Sequence, residues 1–227
     1  MISKVVDSLQ AAVAGVEDGA TIMIGGFGNA GMPADLVDAL IAQGATDLTI
    51  VSNNAGNGET GLAALLKAKR VKKIICSFPR QTDSYVFDAL YRAGEIEFEL
   101  VPQGNLAERI RAAGAGIGAF FTPTGYGTLL ANGKESRVID GRHYVLEYPI
   151  RADLALIKAH KADRWGNLVY RKTARNFGPI MATAAACTVA QVDEIVALGE
   201  LDAESIVTPG IFVQRVVAAA RTTERRG

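Results

Sequence analysis

The chain has 227 residues, 49% of them hydrophobic, with 24 basic and 24 acidic side chains. That length and apolar content suffice for a buried core and exclude an intrinsically disordered chain. A formal net charge of zero argues against nucleic acid as a partner, because phosphate binding needs a basic surface.

The first segment, "MISKVVDSLQAAVAGVEDG", has Lys4 and Asp7 among its apolar residues, so it holds no signal-peptide core. No apolar run approaches the roughly 18 residues a membrane span needs. These features predict a cytoplasmic protein without a membrane partner. Val5, Leu9 and Val13 fall at i, i+4 and i+8, one face of a short helix. "ATIMIGG" is a continuous apolar run, as expected of a strand buried on both faces. Pro33 then suits the first turn of a helix whose apolar stripe is Leu36, Val37, Leu40 and Ile41. "DLTIVSNN" reads as a second strand, "TGLAALLKAKR" as a helix and "KKIICSF" as a third strand. "DSYVFDALYRAG" predicts a helix capped by Asp83 or Ser84 and stopped at Gly94. "IEFELVPQG" reads as a fourth strand, and "NLAERIRAAGAG" as a helix with Asn105 as its cap.

Four strand–helix alternations argue for a parallel sheet with helices on its faces. After "GAFFTPTGYGTLL" the pattern changes. "HYVLEYPI", "ADLALIKAH", "NLVYRK" and "DEIVAL" are strand-like, and "GPIMATAAACTVAQV" holds one more helix and strand. The prediction is one α/β domain over residues 1–227, mostly parallel, with an irregular or antiparallel section after about residue 120. Cys76 and Cys187 lie in apolar runs and read as buried, reduced thiols. Together with His143 and His160 they form no metal-ligand spacing, so no metal is expected.

In such sheets ligands bind outside the C-terminal ends of the strands. Those ends carry "GGFGNAG", "SNNAGNGE", "SFPRQ" and "PQGN", all rich in glycine, amides or both. The four loops should converge on one edge of the sheet. The first contains G-x-G-x-x-G as Gly26, Gly28 and Gly31. A dinucleotide site needs its third glycine inside the helix and an acid at the end of the second strand. Here Pro33 starts the helix after Gly31, and the second strand ends in Ser52-Asn53-Asn54. "NGKES" lacks the Ser or Thr of a phosphate-binding P-loop, and no G-x-S-x-G elbow occurs. What remains is either a backbone loop that offers N–H groups to a ligand or a tight turn that needs positive φ.

The longer frame "DGATIMIGGFGNAGMP", Asp18 to Pro33, resembles the signature of family I CoA-transferases. That signature is Asp-Gly, two free positions, three apolar residues, Gly-Gly-Phe, three free positions and Gly-x-Pro. Asp18, Gly19, Ile22, Met23, Ile24, Gly25, Gly26, Phe27, Gly31 and Pro33 meet every constrained position. The likeness continues through "LTIVSNNAGNGE", "VPQGNLAERIRAAGAGIGAFFTPTGYGT", "GRHYVLE" and "KADRWGNLVYRKTARNFGP", collinear with the A subunits of that family. It implies CoA exchange between carboxylic acids, with a glutamate attacking the acyl-CoA to form a mixed anhydride and then an enzyme thioester. The glutamate of the family lies in a Ser-Glu-Asn-Gly motif of the B subunit, which this chain lacks. Asn57-Gly58-Glu59-Thr60 has the wrong order, and Glu59 and Glu108 read as solvated acids. No catalytic nucleophile is therefore expected in this chain, and a B subunit should supply it. The resemblance implies no cofactor besides the CoA thioester, which is a substrate.

By the same resemblance, Asn53, Asn54 and Gln103 should lie near the reacting thioester or the CoA. For the two asparagines the alternative is an Asx-type turn, and for Gln103 an exposed residue between Pro102 and Gly104. Gly25, Gly26, Phe27 and Gly28 would shape the pocket, with "PTGYGT" as another wall. The segment "CSFPRQTDSYVFDALYRAG" is similar to the branch of the family that uses 3-oxoadipate in the β-ketoadipate route of aromatic breakdown. This implies succinyl-CoA and 3-oxoadipate as substrates. A cation at the far end of the site would favour the second carboxylate, and Arg80, at a strand end, is either that cation or a solvated surface arginine. The alternatives are one half of a succinyl-CoA:3-oxoacid (acetoacetate) transferase and a nucleotide- or acyl-CoA-binding module without transferase activity.

Overall fold

The computed structural model describes residues 2–219. A short helix α1 (Leu9–Ala12) precedes the first strand. Strand–helix pairs then follow: β1 (Thr21–Ile24), α2 (Ala34–Gln43), β2 (Leu48–Val51), α3 (Leu62–Lys67), β3 (Val71–Cys76), α4 (Tyr85–Ala93), β4 (Glu97–Leu100) and α5 (Gln103–Gly114). Next come β5 (Phe120–Thr122), β6 (Ser136–Ile139), β7 (Arg142–Glu147), β8 (Ala152–Ala162) and β9 (Leu168–Val169). The described chain closes with α6 (Gly178–Ala184), β10 (Ala185–Ile195) and β11 (Arg215–Ala218).

The main sheet has the order β11-β10-β8-β1-β2-β3-β4, all parallel, with β9 antiparallel to β8. Both faces are covered, which explains the unbroken apolar runs. Ile22, Ile24, Ile50, Ile74, Leu154 and Leu156 pack in one core with residues of α1 to α4. Met23, Val51, Ile75, Ala155 and Ile157 alternate with them and pack in the other core with residues of α5 and α6. The side-chain period of two thus feeds two cores from one strand.

The section after residue 120 departs from the expectation of an irregular or antiparallel tail. Only β5, β7 and β6 form a separate antiparallel sheet. Strand β8 returns to the middle of the main sheet and pairs in parallel with β1 and with β10. Its strong burial reflects this central position. Strands β1 to β4 step outward on one side of the β1/β8 boundary, and β8, β10 and β11 on the other. That boundary is a topological switch point, where the loops after adjacent strands part and leave a crevice.

Four local expectations are corrected. Val5 pairs with Val216 as an isolated bridge rather than joining a helix, because Ser8 caps the helix at Leu9 by accepting from Ala11 N at 3.0 Å. Ser84 occupies the cap position of α4 but makes no capping bond. Its hydroxyl accepts from Gln81 N and lies within reach of Gly56 O and Asn57 Oδ1, so it joins two loops instead. Asn105 is no cap: Pro102 precedes α5 directly, and Asn105 is buried in the first turn. There it donates to Glu147 Oε1 at 3.2 Å and reaches Thr124 O at 3.4 Å. Cys76 is buried as expected, whereas Cys187 is half-buried; both are free thiols. Gly94 closes α4 where the sequence placed it.

Candidate active site

The loops after β1, β2, β3 and β4 converge at one edge. Phe27, Asn53, Ser77, Phe78, Gln81 and Gln103, contributed by all four, line a cavity of about 380 Å³. The centre is Asn53, 1% exposed. Its Oδ1 accepts from Gln103 Nε2 at 2.8 Å and from Ser77 Oγ at 2.9 Å. Its backbone oxygen accepts from Ser77 N at 3.2 Å and Phe78 N at 3.0 Å, which extends the β2–β3 pairing past the strand ends. With its oxygen turned toward Gln103 and Ser77, the Asn53 amide keeps its own N–H groups for other acceptors. Gln103 is the first residue of α5, and Pro102 with φ −51° turns the chain from β4 into that helix. The end of β4 and the start of α5 therefore aim Gln103 at Asn53.

A second layer holds the loops. Asn57 Nδ2 donates to Gln81 Oε1, and Ser84 ties Gly56 and Asn57 to Gln81. The small sheet is anchored through the buried Glu147, which receives Asn105 Nδ2 and Lys134 Nζ, the latter at 2.7 Å. Thr124 of "PTGYGT" accepts from the same Asn105, so this segment is positioned by the first turn of α5.

Of the predicted site residues, Phe27, Asn53 and Gln103 line the cavity. Phe27 and Phe78 stand at its edge, 52% and 56% exposed. Asn54 turns away: its Oδ1 accepts from Gly56 N at 2.8 Å, an Asx-type turn, and its Nδ2 is buried without a hydrogen-bond partner. Gly25 and Gly26 are buried beneath the cavity wall, with Gly25 N donating to Leu156 O of β8 at 2.9 Å. Gly28 forms the tip of a tight turn closed by the mutual backbone bonds of Phe27 and Ala30. Arg80 does not join the amides. Its Nε donates to Asp88 Oδ1 at 2.5 Å, and its guanidinium lies 6.0 Å from the Tyr91 ring centre. Glu59 pairs with Lys67 and Glu108 with Arg111, both acids exposed. Ser77 and Gln81 were not singled out in the sequence. The signal for them is their place directly after a parallel strand, where inward-facing polar residues meet a ligand.

Packing accounts for the third glycine of the loop. Gly31 has φ +76°, and a Cβ there would stand 2.5 Å from the carbonyl oxygen of Ala174. Its missing side chain lets the segment 172–176 lie against the loop. Asn176 completes the seam by donating from Nδ2 to Ala30 O at 2.9 Å. A cavity of about 570 Å³ lies there, lined by Phe27, Ala30, Thr173, Arg175 and Asn176. It lies between the loop after β1 and the segment before α6, and shares Phe27 with the amide cavity.

Among the described residues no group of three or more His, Cys, Asp or Glu could hold a metal ion, and no helix is long and apolar enough to cross a membrane. His143 stacks on Tyr126 at 4.3 Å, and His160 faces Asp193 at 3.2 Å, both away from the amides.

Known proteins resemble this chain in sequence and in fold. The family model described as coenzyme A transferase matches residues 6–219. The A subunit of 3-oxoadipate CoA-transferase from Pseudomonas putida is 73% identical over 97% of this chain and 95% of its own length. The A subunit of succinyl-CoA:3-ketoacid coenzyme A transferase from Helicobacter pylori is 49% identical over 99% of this chain and 96% of its own. Among solved structures, an acyl-CoA transferase of Escherichia coli superimposes with a TM-score of 0.87 at 23% identity, a likeness of fold. That match covers 99% of this chain but 48% of the other, so the chain spans about half of that longer protein. By its matched family model and its relatives along nearly the whole chain, the protein belongs to the coenzyme A transferase family.

Proposed function

We propose that the chain is the A subunit of a transferase that moves CoA from succinyl-CoA to 3-oxoadipate, a step of aromatic-compound breakdown. The observation that carries this reading is a cavity lined by amides, a hydroxyl and aromatic rings without a carboxylate among its lining residues. Such a site suits the stabilisation of developing negative charge, with the attacking carboxylate supplied from elsewhere.

The chemistry divides accordingly. A glutamate of a B subunit, in a Ser-Glu-Asn-Gly motif, attacks the thioester carbonyl of succinyl-CoA. The tetrahedral oxyanion collapses, CoA thiolate leaves, and a glutamyl–succinyl anhydride forms. The thiolate then attacks the glutamyl carbonyl and releases succinate, leaving a glutamyl-CoA thioester. 3-Oxoadipate repeats the steps in reverse and departs as its CoA thioester. An oxyanion appears at every attack. Neutral donors fixed beforehand lower these barriers without holding the ground-state carboxylate. Asn53 and Gln103 suit this task. The oxygen of Asn53 is occupied by Ser77 and Gln103, which leaves its N–H groups for the cavity. Gly25, Gly26 and Gly28 shape the wall behind Phe27. The open, aromatic-edged cavity mouth is the side from which a partner's carboxylate would enter.

The P. putida relative is named for 3-oxoadipate and the H. pylori relative for a 3-ketoacid. The higher identity of the first favours 3-oxoadipate. The test is to assay the chain alone and mixed with a partner that carries the Ser-Glu-Asn-Gly motif. Activity only in the mixture, greatest with 3-oxoadipate, is expected. Ligand binding by the isolated chain with no activity gained from the partner would instead support a binding module.

A further inference from the structure

We infer that Arg175 is a specificity-determining residue: it binds the free carboxylate at the far end of the dicarboxylic acyl group, in the cavity beyond Phe27. This inference rests on the reading of succinyl-CoA and 3-oxoadipate as substrates.

Three observations converge. First, the cavity lies between the loop after β1 and the segment that joins β9 to α6, on the strand-end edge where open α/β sheets take ligands. It adjoins the amide cavity, with Phe27 lining both. Second, its lining pairs apolar surface with one charged side chain. Phe27 and Ala30 can cover a methylene chain, and Arg175 can meet the carboxylate at its end. Arg175 forms no ion pair with a described acidic residue. Arg80 by contrast is already paired with Asp88. Third, the loop that carries Arg175 is held in place at a cost. Gly31 yields its side-chain space to Ala174, Asn176 binds Ala30 O and Thr173 O, and Lys172 sits at φ +50°. Backbone strain of this kind persists where the surroundings impose it, often beside functional sites.

The chemistry requires only one such cation. Succinyl-CoA and 3-oxoadipyl-CoA share a plan: a thioester carbonyl at one end and a carboxylate at the other. Because both half-reactions use the same site, the same guanidinium serves donor and acceptor. The two acyl chains differ in length by two carbons. An exposed arginine with a flexible stem can follow that difference, and its planar fork binds carboxylate in two-point fashion. Acetoacetyl-CoA has no second carboxylate and gains nothing from it.

The test compares wild type, Arg175→Gln and Arg175→Lys, each as the full chain alone and with its partner. Calorimetry measures the binding of succinate, of butyrate (the same chain with a methyl in place of one carboxylate) and of CoA. Arg175→Gln should weaken succinate binding by about 10- to 100-fold, the range of a lost charge-assisted hydrogen bond. Arg175→Lys should recover part of the loss, and butyrate and CoA should be unaffected. Succinate affinity within about twofold of wild type in Arg175→Gln, equal losses for butyrate or CoA, or no succinate binding by the wild-type complex would overturn the inference. Turnover by the wild-type complex tests the underlying reading separately. An enzyme active with acetoacetate but not 3-oxoadipate, yet binding succinate through Arg175, would overturn that reading and retain the inference.

Discussion

Removing the hydroxyl of Ser77 tests whether the amide of Asn53 acts as an oriented donor. Ser77 Oγ lies 2.9 Å from Asn53 Oδ1 and 3.1 Å from Asn53 O, so its one proton is divided between two acceptors. The second donor, Gln103 Nε2 at 2.8 Å, remains after Ser77→Ala. A net hydrogen bond contributes about 0.5–1.5 kcal/mol, and the shared proton places Ser77 toward the lower half of that range. If the bond matters only for holding the donor to the oxyanion, kcat should fall by about 2- to 6-fold with little change in KM. The assay is steady-state kinetics of the reconstituted enzyme, with a thermal midpoint measured alongside. Ser77→Thr keeps the hydroxyl and should restore most of kcat. Combining Ser77→Ala with Gln103→Leu should be non-additive, because both side chains act on one oxygen. Unchanged kcat in Ser77→Ala, or equal loss in the alanine and threonine variants, would refute the reasoning.

Other outcomes follow from packing and charge. Gly31→Ala should destabilise the chain by about 2–4 kcal/mol, since it combines a left-handed φ with overlap on Ala174 O; a urea titration showing under about 1 kcal/mol would contradict the close seam between this loop and segment 172–176. Burial pushes the Cys76 thiol up to about 12 and the Tyr170 phenol up to about 12, from ordinary values of 9.0 and 10.0. Both groups ionise first in the unfolded chain, so stability should be level below about pH 9 and fall as pH rises from there toward 12. Urea midpoints at several alkaline pH values check the sign, and a thiol reagent near pH 8 should modify Cys187 well before Cys76. Arg80→Ala should shift the 3-oxoadipate to acetoacetate ratio of kcat/KM less than Arg175→Gln does; the reverse ranking would return carboxylate recognition to Arg80.

Much of the front half was legible because local signals agreed. Continuous apolar runs marked β1, β2 and β3, and Pro33 and Gly94 bounded helices where the chain does begin and end them. The convergence of four loops followed from parallel strands alone. Less legible were features made by contacts distant in sequence. The capping role read for Asn105 gave way to Glu147 and Thr124, and that read for Ser84 to Gly56 and Asn57. The strand β8 was visible as a strand, but its central place is set by pairing with β1 across some 130 residues.

Residue identity and spacing sufficed for the family, through the frame from Asp18 to Pro33. What those residues face was settled only by the assembled sheet. It joined Asn53, Ser77 and Gln103 around one amide oxygen, turned Asn54 aside into its own turn and bound Arg80 to Asp88. It also gave Gly31 its reason, the approach of Ala174, and thereby brought Arg175 beside Phe27. Local spacing cannot carry such information, because the partners of each group arrive from strands that meet only when the sheet assembles.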